Sequence, residues 1–225
     1  MERLRMVTYL GDNVLPIATG LAEELDMELI SGDTLATIQR QRADIYWMCG
    51  LLTVELIDSG RLAADIVAAP VFSGQPGPLY HSVIIAASPA AADLSGRRLV
   101  INEVGSWSGN HALRVHRLVS PVSFASVVES GTHARSIDML LAGEADVAAI
   151  DHTIWEHRLA TDPLAHSLFV VGRTRDWPAP PFSVSRRLVE TDAVRQALVR
   201  AVPAGLERIV EAASTDYDPI RAAMR

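Results

Sequence analysis

The chain has 225 residues, of which 49% are hydrophobic and 21% are charged, and its formal net charge is −7 at pH 7. This length and composition can bury a sizeable core, as one large domain or two small lobes, which excludes a disordered protein. The acidic charge and the lack of a basic run exclude binding to nucleic acid or to an anionic membrane through a broad basic surface.

The residue types also restrict chemistry and location. All basic residues are arginine, so a lysine nucleophile or Schiff base is excluded. The single Cys49 excludes an internal disulfide and a thiolate metal cluster. No run approaches the roughly 18 apolar residues of a membrane span, and the amino terminus lacks the features of a secretory leader. We therefore expect no membrane insertion, and a periplasmic location if a leader was removed or a cytoplasmic one otherwise.

Short β-rich runs alternate with stretches of helical periodicity, which is typical of βα units and a largely parallel sheet. Before residue 73 the pattern predicts strands at Leu4–Leu10, Met27–Ile30, Asp44–Met48 and Ala64–Phe72. It predicts helices from Asp12 or Asn13 to Leu25, from Asp33 to Arg40, and over Leu51–Asp58.

The segment 73–78, SGQPGP, is the clearest break in the chain, because its glycines and prolines stop regular structure. Beyond it the pattern predicts strands at Tyr80–Ala87, Arg98–Asn102, Ser123–Val128, Asp146–Ile150 and Leu168–Val171. Helices are predicted after Ser108, over Thr132–Ala142, and from Asp192 to about Ala213 after a second proline-rich break at 177–181.

The two breaks divide the chain. We predict an α/β protein in which residues 1–76 and 176–225 form one lobe and residues 77–175 are inserted as the other. Each lobe is predicted to be a mostly parallel sheet flanked by helices, with a ligand cleft between the lobes.

Ligands of open α/β sheets bind outside the carboxyl ends of the strands, so side chains there are the first candidates. Tyr9 ends the first predicted strand, Trp47 ends the Asp44–Met48 strand, and Tyr80 begins the strand after the first break. Trp47 and Tyr80 have two interpretations, as walls of a pocket or as core residues, and core is the default for each taken singly.

The run Gly105–Gly109, GSWSG, leads from an apolar strand into a helical pattern. Its glycines let the backbone approach a ligand, and hydroxyl and N–H groups at the helix start suit a phosphate, phosphonate, sulfonate or carboxylate. The alternative is that Ser108 merely caps the helix. Thr132 and His133 open a second helix, where Thr132 is a candidate cap and the histidine ring a donor to the same anion.

Asp151 follows an apolar strand, where it either accepts a hydrogen bond from a ligand or caps the next helix. An enzyme is less well supported, because Ser106 and Ser108 do not lie in a G-x-S-x-G elbow, Cys49 has a buried-looking neighbourhood, and the spacings of a nucleotide loop or a metal site are lacking. An assembled nucleophile and base are therefore not expected, and neither is a cofactor. The remaining histidines considered as metal ligands are interpreted as solvated helix positions: His111, His116, His152 and His157.

Several segments resemble, in order as well as content, the phosphate/phosphonate-type substrate-binding proteins of ABC transporters, which have the type 2 periplasmic-binding fold. The resemblance covers most of residues 40–160. The segments are 44–50, DIYWMCG; 80–85, YHSVII; 94–99, LSGRRL; the GSWSG loop; His133; and 141–151, LAGEADVAAID.

This resemblance implies two lobes that close on a small oxyanion and deliver it to an ABC permease. It implies that Ser106, Ser108 and His133 donate hydrogen bonds, that Trp47 and Tyr80 line the cleft, and that Asp151 contacts a ligand amine or hydroxyl. Trp107 stands where the family commonly carries a small hydroxylic residue, which implies a smaller or more apolar pocket.

Two other classes of function remain open at this stage. One is an enzyme on the same fold, such as those of menaquinone or thiamine-precursor biosynthesis. The other is a cytosolic ligand sensor.

Overall fold

The computed structural model describes residues 3–11, 13–32, 42–89, 94–116 and 123–225. The chain forms two compact units. The first comprises Met1–Leu79 and Trp177–Arg225, and the second comprises Tyr80–Asp176. The second unit is therefore a continuous stretch of chain inserted into the first.

The first unit contains a six-stranded sheet in the order β13-β4-β12-β3-β1-β2. Strand β1 pairs in parallel with β2 and β3, whereas β12 and β13 run antiparallel to their neighbours. The strands are β1 (Arg5–Thr8), β2 (Glu28–Ser31), β3 (Ile45–Trp47), β4 (Ala64–Phe72), β12 (Phe182–Ser185) and β13 (Leu206–Glu211).

Helices of the first unit connect these strands. They are α1 (Leu15–Glu24), α2 (Gly50–Asp58), α6 (Thr191–Arg200) and α7 (Asp218–Ala223), with a 3₁₀ turn at Ser214–Tyr217. Two-residue strands β5 (Leu79–Tyr80) and β11 (Trp177–Pro178) form a separate ribbon.

The second unit contains a five-stranded sheet in the order β10-β6-β9-β7-β8. Strand β7 is parallel to β8 and β9, and β6 is antiparallel to β9 and β10. The strands are β6 (Ser82–Ala86), β7 (Arg98–Ile101), β8 (Ser126–Glu129), β9 (Val147–Asp151) and β10 (Phe169–Arg173).

The helices of the second unit begin with a π-helical turn, Trp107–His111, which continues into α3 (Ala112–Arg114). They continue with α4 (His133–Leu141), α5 (His152–Thr161) and a 3₁₀ turn at Pro163–Ser167.

The central strands β6, β7 and β9 of the second unit are buried on both faces, and alternate residues of each strand point to opposite sides. On β9, Ala148 and Ile150 join a core cluster with Ile137 and Trp155 of the helices. The alternate residues of β9, Val147 and Ala149, point to the opposite face and join a second core cluster that contains Leu113. Continuous apolar strands are the sequence signature of this arrangement.

Several predictions are corrected. The sheets are mixed rather than mostly parallel. In the first unit β12 and β13 return antiparallel to β3 and β4, and in the second unit β6 runs antiparallel to β9 and β10. The predicted helix from Asp192 to Ala213 is wrong beyond Arg200, since residues 206–211 form β13. Helix α1 begins after Val14, with no side-chain cap, instead of after Asp12 or Asn13.

The predicted strand Tyr80–Ala87 is interrupted at His81, whose carbonyl accepts a hydrogen bond from the N–H of His152. The predicted helix from Asp33 to Arg40 lies outside the described residues. No helix within the described ranges is both long and apolar enough to span a membrane.

Candidate ligand-binding site

Three parallel strands of the second unit end at the same edge of the sheet. β7 leads into the GSWSG loop, β8 leads through Ser130 to His133, and β9 ends at Asp151. The carboxyl edge of parallel strands is where ligands of α/β sheets bind. Local chain topology thus brings the candidate residues of this unit to one edge.

The GSWSG loop starts the π-helical turn. Ser106 is the N-cap, and its Oγ accepts a hydrogen bond from the N–H of Gly109 at 3.1 Å. The N–H of His111 donates to the carbonyl of Ser106 at 3.1 Å, which is the five-residue spacing of a π-helix. The alternative that Ser108 caps this helix is therefore wrong, because the cap lies two residues earlier.

Since it is not the cap, the Ser108 hydroxyl can make a contact outside its own helix. Its Oγ shares a hydrogen bond of 2.9 Å with Nε2 of His133. The carbonyl of Ser108 accepts a hydrogen bond from the hydroxyl of Ser82 on β6 at 2.8 Å. Ser108 is thereby held from two sides, and we call Ser108 and His133 the Ser–His pair.

His133 is the first residue of α4 and is held by the cap of that helix. Thr132 is the N-cap, and its Oγ1 accepts a hydrogen bond from the N–H of Arg135, as the sequence predicted. Burial lowers the pKa of His133 to about 4, although the negative charge of Asp151 acts in the opposite direction. The ring is therefore neutral at pH 7 and can accept or donate a hydrogen bond without carrying charge.

Asp151 caps helix α5. Its Oδ1 accepts hydrogen bonds from the N–H of Thr153 at 2.9 Å and from the Thr153 hydroxyl at 2.8 Å. The capping interpretation of Asp151 is thus correct. A contact between Asp151 and a ligand remains a prediction.

A stacked pair of histidines adjoins Asp151. The rings of His81 and His152 are 4.4 Å apart with an interplanar angle of 18°, and His152 is only 1% exposed. The prediction that His152 is solvated is wrong, because its ring is buried and stacks on the ring of His81, which lies between β5 and β6. Burial and the neighbouring His152 and Arg173 lower the pKa of His81 to about 4, against the opposing effects of Asp176 and Asp151.

Trp107 is fully buried although it lies in the middle of the GSWSG loop. Its ring lies nearly parallel to that of His111, at 6.3 Å between centroids and 10° between planes. Tyr80, the first residue of the second unit, is also buried.

The candidates in the first unit lie on neighbouring strands. Trp47 ends β3 and is paired in register with Thr8, the last residue of β1, so that Tyr9 follows on the adjacent strand. The indole N–H of Trp47 donates to the carbonyl of Pro180 at 3.1 Å, and the indole packs on Phe182. Tyr9 is half-buried and packs against the core cluster around Val7.

No grouping of three or more histidine, cysteine, aspartate or glutamate side chains suited to a metal ion occurs within the part of the chain that is described.

The sequence matches the protein family described as "ABC transporter, phosphonate, periplasmic substrate-binding protein" over residues 13–221. The chain belongs to this family. The family resemblance inferred from the sequence is therefore confirmed, and with it the transporter class of function. No curated protein matches the chain.

Solved structures share the fold of this substrate-binding protein at low sequence identity. A binding component of an ABC phosphonate transporter from Pseudomonas aeruginosa superimposes with a TM-score of 0.79 at 15% identity, covering 98% of this chain and 85% of that one. PhnD1 from Prochlorococcus marinus, solved with methylphosphonate, gives 0.77 at 17% identity over 99% and 97%. The predicted two-lobed α/β fold class is confirmed.

More distant structures extend this comparison. An arginine-binding protein from T. maritima, solved with its ligand, gives a TM-score of 0.55 at 15% identity, covering 87% of this chain and 86% of that one. The fold is thus shared with proteins that bind other small solutes.

Sequence reasoning missed some contacts of the substrate-binding protein's Ser–His pair. From the sequence, Ser82 is predicted only to be part of an apolar strand and Asn102 only to be the end of another. The sequence of β6 gives no sign that Ser82 contacts the Ser–His pair, because its hydroxyl donates to the carbonyl of Ser108, which lies 26 residues later in the chain. The available signal for Asn102 was its position at the carboxyl end of a strand, where ligands of α/β sheets bind.

Replacing Ser106 with alanine is expected to lower the free energy of unfolding by about 0.5 to 2 kcal/mol, because the π-helical turn loses its side-chain cap. Urea unfolding of the purified protein measures this change. Ser126→Ala, at an exposed position of edge strand β8, is the control and should have little effect. Equal stability of the two variants would contradict the capping role.

Proposed function

We propose that this protein captures a small phosphonate- or phosphate-like oxyanion for ABC-type uptake. The observation that carries the proposal is the Ser–His pair at the carboxyl edge of the sheet, where Ser108 and a neutral His133 meet at a helix start. Helix starts present N–H groups and a favourable dipole to an anion. The binding of methylphosphonate by the Prochlorococcus relative supports this ligand class.

The net charge of −7 is compatible with anion capture. Hydroxyl, imidazole and backbone donors act over hydrogen-bond distances, whereas net charge acts mainly on the rate of long-range encounter. We therefore expect the affinity for the anion to depend strongly on these local donors and only weakly on the ionic strength of the solution.

The remaining predicted contacts form part of the proposal. Ser106 donates to the oxyanion together with one member of the Ser–His pair, because the hydrogen bond between Ser108 and the neutral His133 uses one of their two protons. Ser108 donates when Nε2–H of His133 points to its Oγ, and His133 donates when the Ser108 hydroxyl points to Nε2. Asp151 accepts from an amine or hydroxyl of the ligand. Aromatic side chains line the site: Tyr9, Trp47, Tyr80 and Trp107. Residues 1–76 with 176–225 and residues 77–175 act as lobes that close by a hinge. The partner is an ABC permease, and the location is periplasmic after removal of a leader.

A thermal-shift panel tests the proposal. It contains phosphate, methylphosphonate, methanesulfonate and benzoate, each over a concentration series. A ligand present at 100 times its dissociation constant stabilises the protein by about 2.7 kcal/mol. Stabilisation by phosphate or methylphosphonate, without consumption of the compound, supports the proposal. A flat panel, or stabilisation by benzoate alone, would refute it.

An enzyme on the same fold is the second candidate. The observation that favours it is the 2.9 Å hydrogen bond between Ser108 and His133, because a hydroxyl beside a neutral imidazole is the usual pairing of nucleophile and base. Phosphorus NMR of the protein mixed with methylphosphonate, and separately with a phosphate ester, distinguishes the two candidates. Conversion of a phosphonate or phosphate ester that is lost in Ser108→Ala would establish the enzyme.

A further inference from the structure

Asn102 lies between the two segments that carry the Ser–His pair. It follows β7 at the start of the loop that leads to Ser108, and it is 9% exposed. Its Oδ1 atom is buried and accepts no hydrogen bond from any residue in the described ranges. A buried amide oxygen without a donor is costly, so hydrogen bonding does not explain this side chain.

The main chain around Asn102 holds the segment before His133. The carbonyl of Asn102 accepts a hydrogen bond from the N–H of Gly131 at 2.7 Å. The N–H of Ser130 donates to the carbonyl of Ile101 at 2.9 Å. The turn that precedes α4 is therefore tied directly to the end of β7.

The side chain of Asn102 contacts the other segment at Gly109. A Cβ atom placed on Gly109 would lie 1.8 Å from Oδ1 of Asn102 and 2.7 Å from its Cγ. The same Cβ would lie 3.0 Å from Cε1 of His133. The amide and the edge of the imidazole thus converge on the space that a side chain at Gly109 would occupy, one residue after Ser108.

We propose that Asn102 is a positioning residue for the Ser–His pair, and that Gly109 is required because a residue without a side chain admits both the amide and the imidazole. The amide fills the space beside the edge of the His133 ring and so limits where Nε2 can lie relative to Ser108. Only the expected effect of Asn102 on ligand affinity rests on the proposed function.

The test compares Gly109→Ala, Asn102→Ala and the double variant in the full-length protein. Gly20→Ala is the matched control, because Gly20 is also helical and a Cβ there meets only Pro203, at an ordinary 3.8 Å. Urea unfolding gives stability, calorimetry with methylphosphonate and inorganic phosphate gives affinity, and NMR titration of the His133 ring reports its surroundings.

Gly109→Ala is expected to lower stability and to weaken affinity at least tenfold, whereas Gly20→Ala leaves affinity unchanged. Asn102→Ala is expected to weaken affinity about tenfold and to shift the His133 titration, with a smaller effect on stability. The double variant should be more stable than Gly109→Ala, because removal of the amide relieves the clash, yet keep the weak affinity of Asn102→Ala. Such non-additivity is the mark of two groups in contact.

The inference would be overturned if Asn102→Ala left both the His133 titration and the affinity unchanged. It would also be overturned if the double variant were no more stable than Gly109→Ala. If the wild-type protein binds neither anion, the proposed function fails, but the stability comparison and the His133 titration still decide the role of Asn102.

Discussion

Replacing Ser108 with alanine is expected to weaken binding of methylphosphonate or phosphate by about 1 to 3 kcal/mol, which is about 5- to 140-fold in the dissociation constant. The variant loses a hydroxyl donor to a charged oxygen and also the 2.9 Å hydrogen bond that holds Nε2 of His133. Isothermal titration calorimetry at constant pH measures the change.

Thr161→Ala is the matched control for this variant. Thr161 is an exposed residue of the same unit, and its hydroxyl donates only within its own helix, to the carbonyl of His157. The control should bind with wild-type affinity. If Ser108→Ala also binds with wild-type affinity while the wild-type protein binds the anion, Ser108 is not part of the site.

Acidification is expected to destabilise the protein through His133, by about 3 kcal/mol between pH 6.5 and pH 4. The reason is burial, which lowers the pKa of His133 to about 4 in the folded chain, whereas an unfolded chain has the ordinary value of 6.5. Between these two values the unfolded state binds a proton that the folded state does not, so stability falls as the pH falls.

The pH window follows from the same two values. Above pH 6.5 the imidazole is neutral in both states, and its contribution to stability is fully present. Below pH 4 both states are protonated, and no further loss arises from this group. His81 has a pKa lowered in the same direction, so it adds to the loss within the same window.

Urea unfolding at intervals from pH 7.5 to pH 4.5 measures this dependence. His133→Gln is the informative variant, because an amide can still hydrogen-bond Ser108 but does not titrate. Its stability should fall less steeply than that of the wild type between pH 6.5 and pH 4.5. Parallel curves for the two proteins would show that His133 is not the group responsible.

Local sequence patterns were sufficient to predict much of the fold. Ala64–Phe72 was predicted with the bounds that the structure has, because a long, mainly apolar run ends at the break over residues 73–78. The error at β13 has a physical cause, since apolar residues after Arg200 continue the helical spacing. Pro203 was the neglected signal, because proline interrupts the interior of a helix.

Other features depend on contacts between segments that are distant in sequence. Nothing near His152 in the sequence indicates that it is buried, because the ring that stacks on it belongs to His81, 71 residues earlier in the chain. The choice of Ser106 over Ser108 as the cap depends on a π-helical start, for which sequence offers no reliable sign. The sequence was sufficient to predict Ser108 and His133 as candidate ligand-binding residues, since each lies among small polar residues at the start of a helix. Their direct hydrogen bond was not.

The position of β12 has a consequence for how the chain is made. This strand lies between β3 and β4 in the sheet, although it follows them only after the whole inserted unit. On the ribosome, β3 and β4 therefore emerge without the strand that joins them, whereas every strand of the inserted unit comes from one uninterrupted stretch. The inserted unit is thus complete once its own segment has been synthesised, whereas the sheet of the outer unit is completed only by the carboxyl-terminal segment.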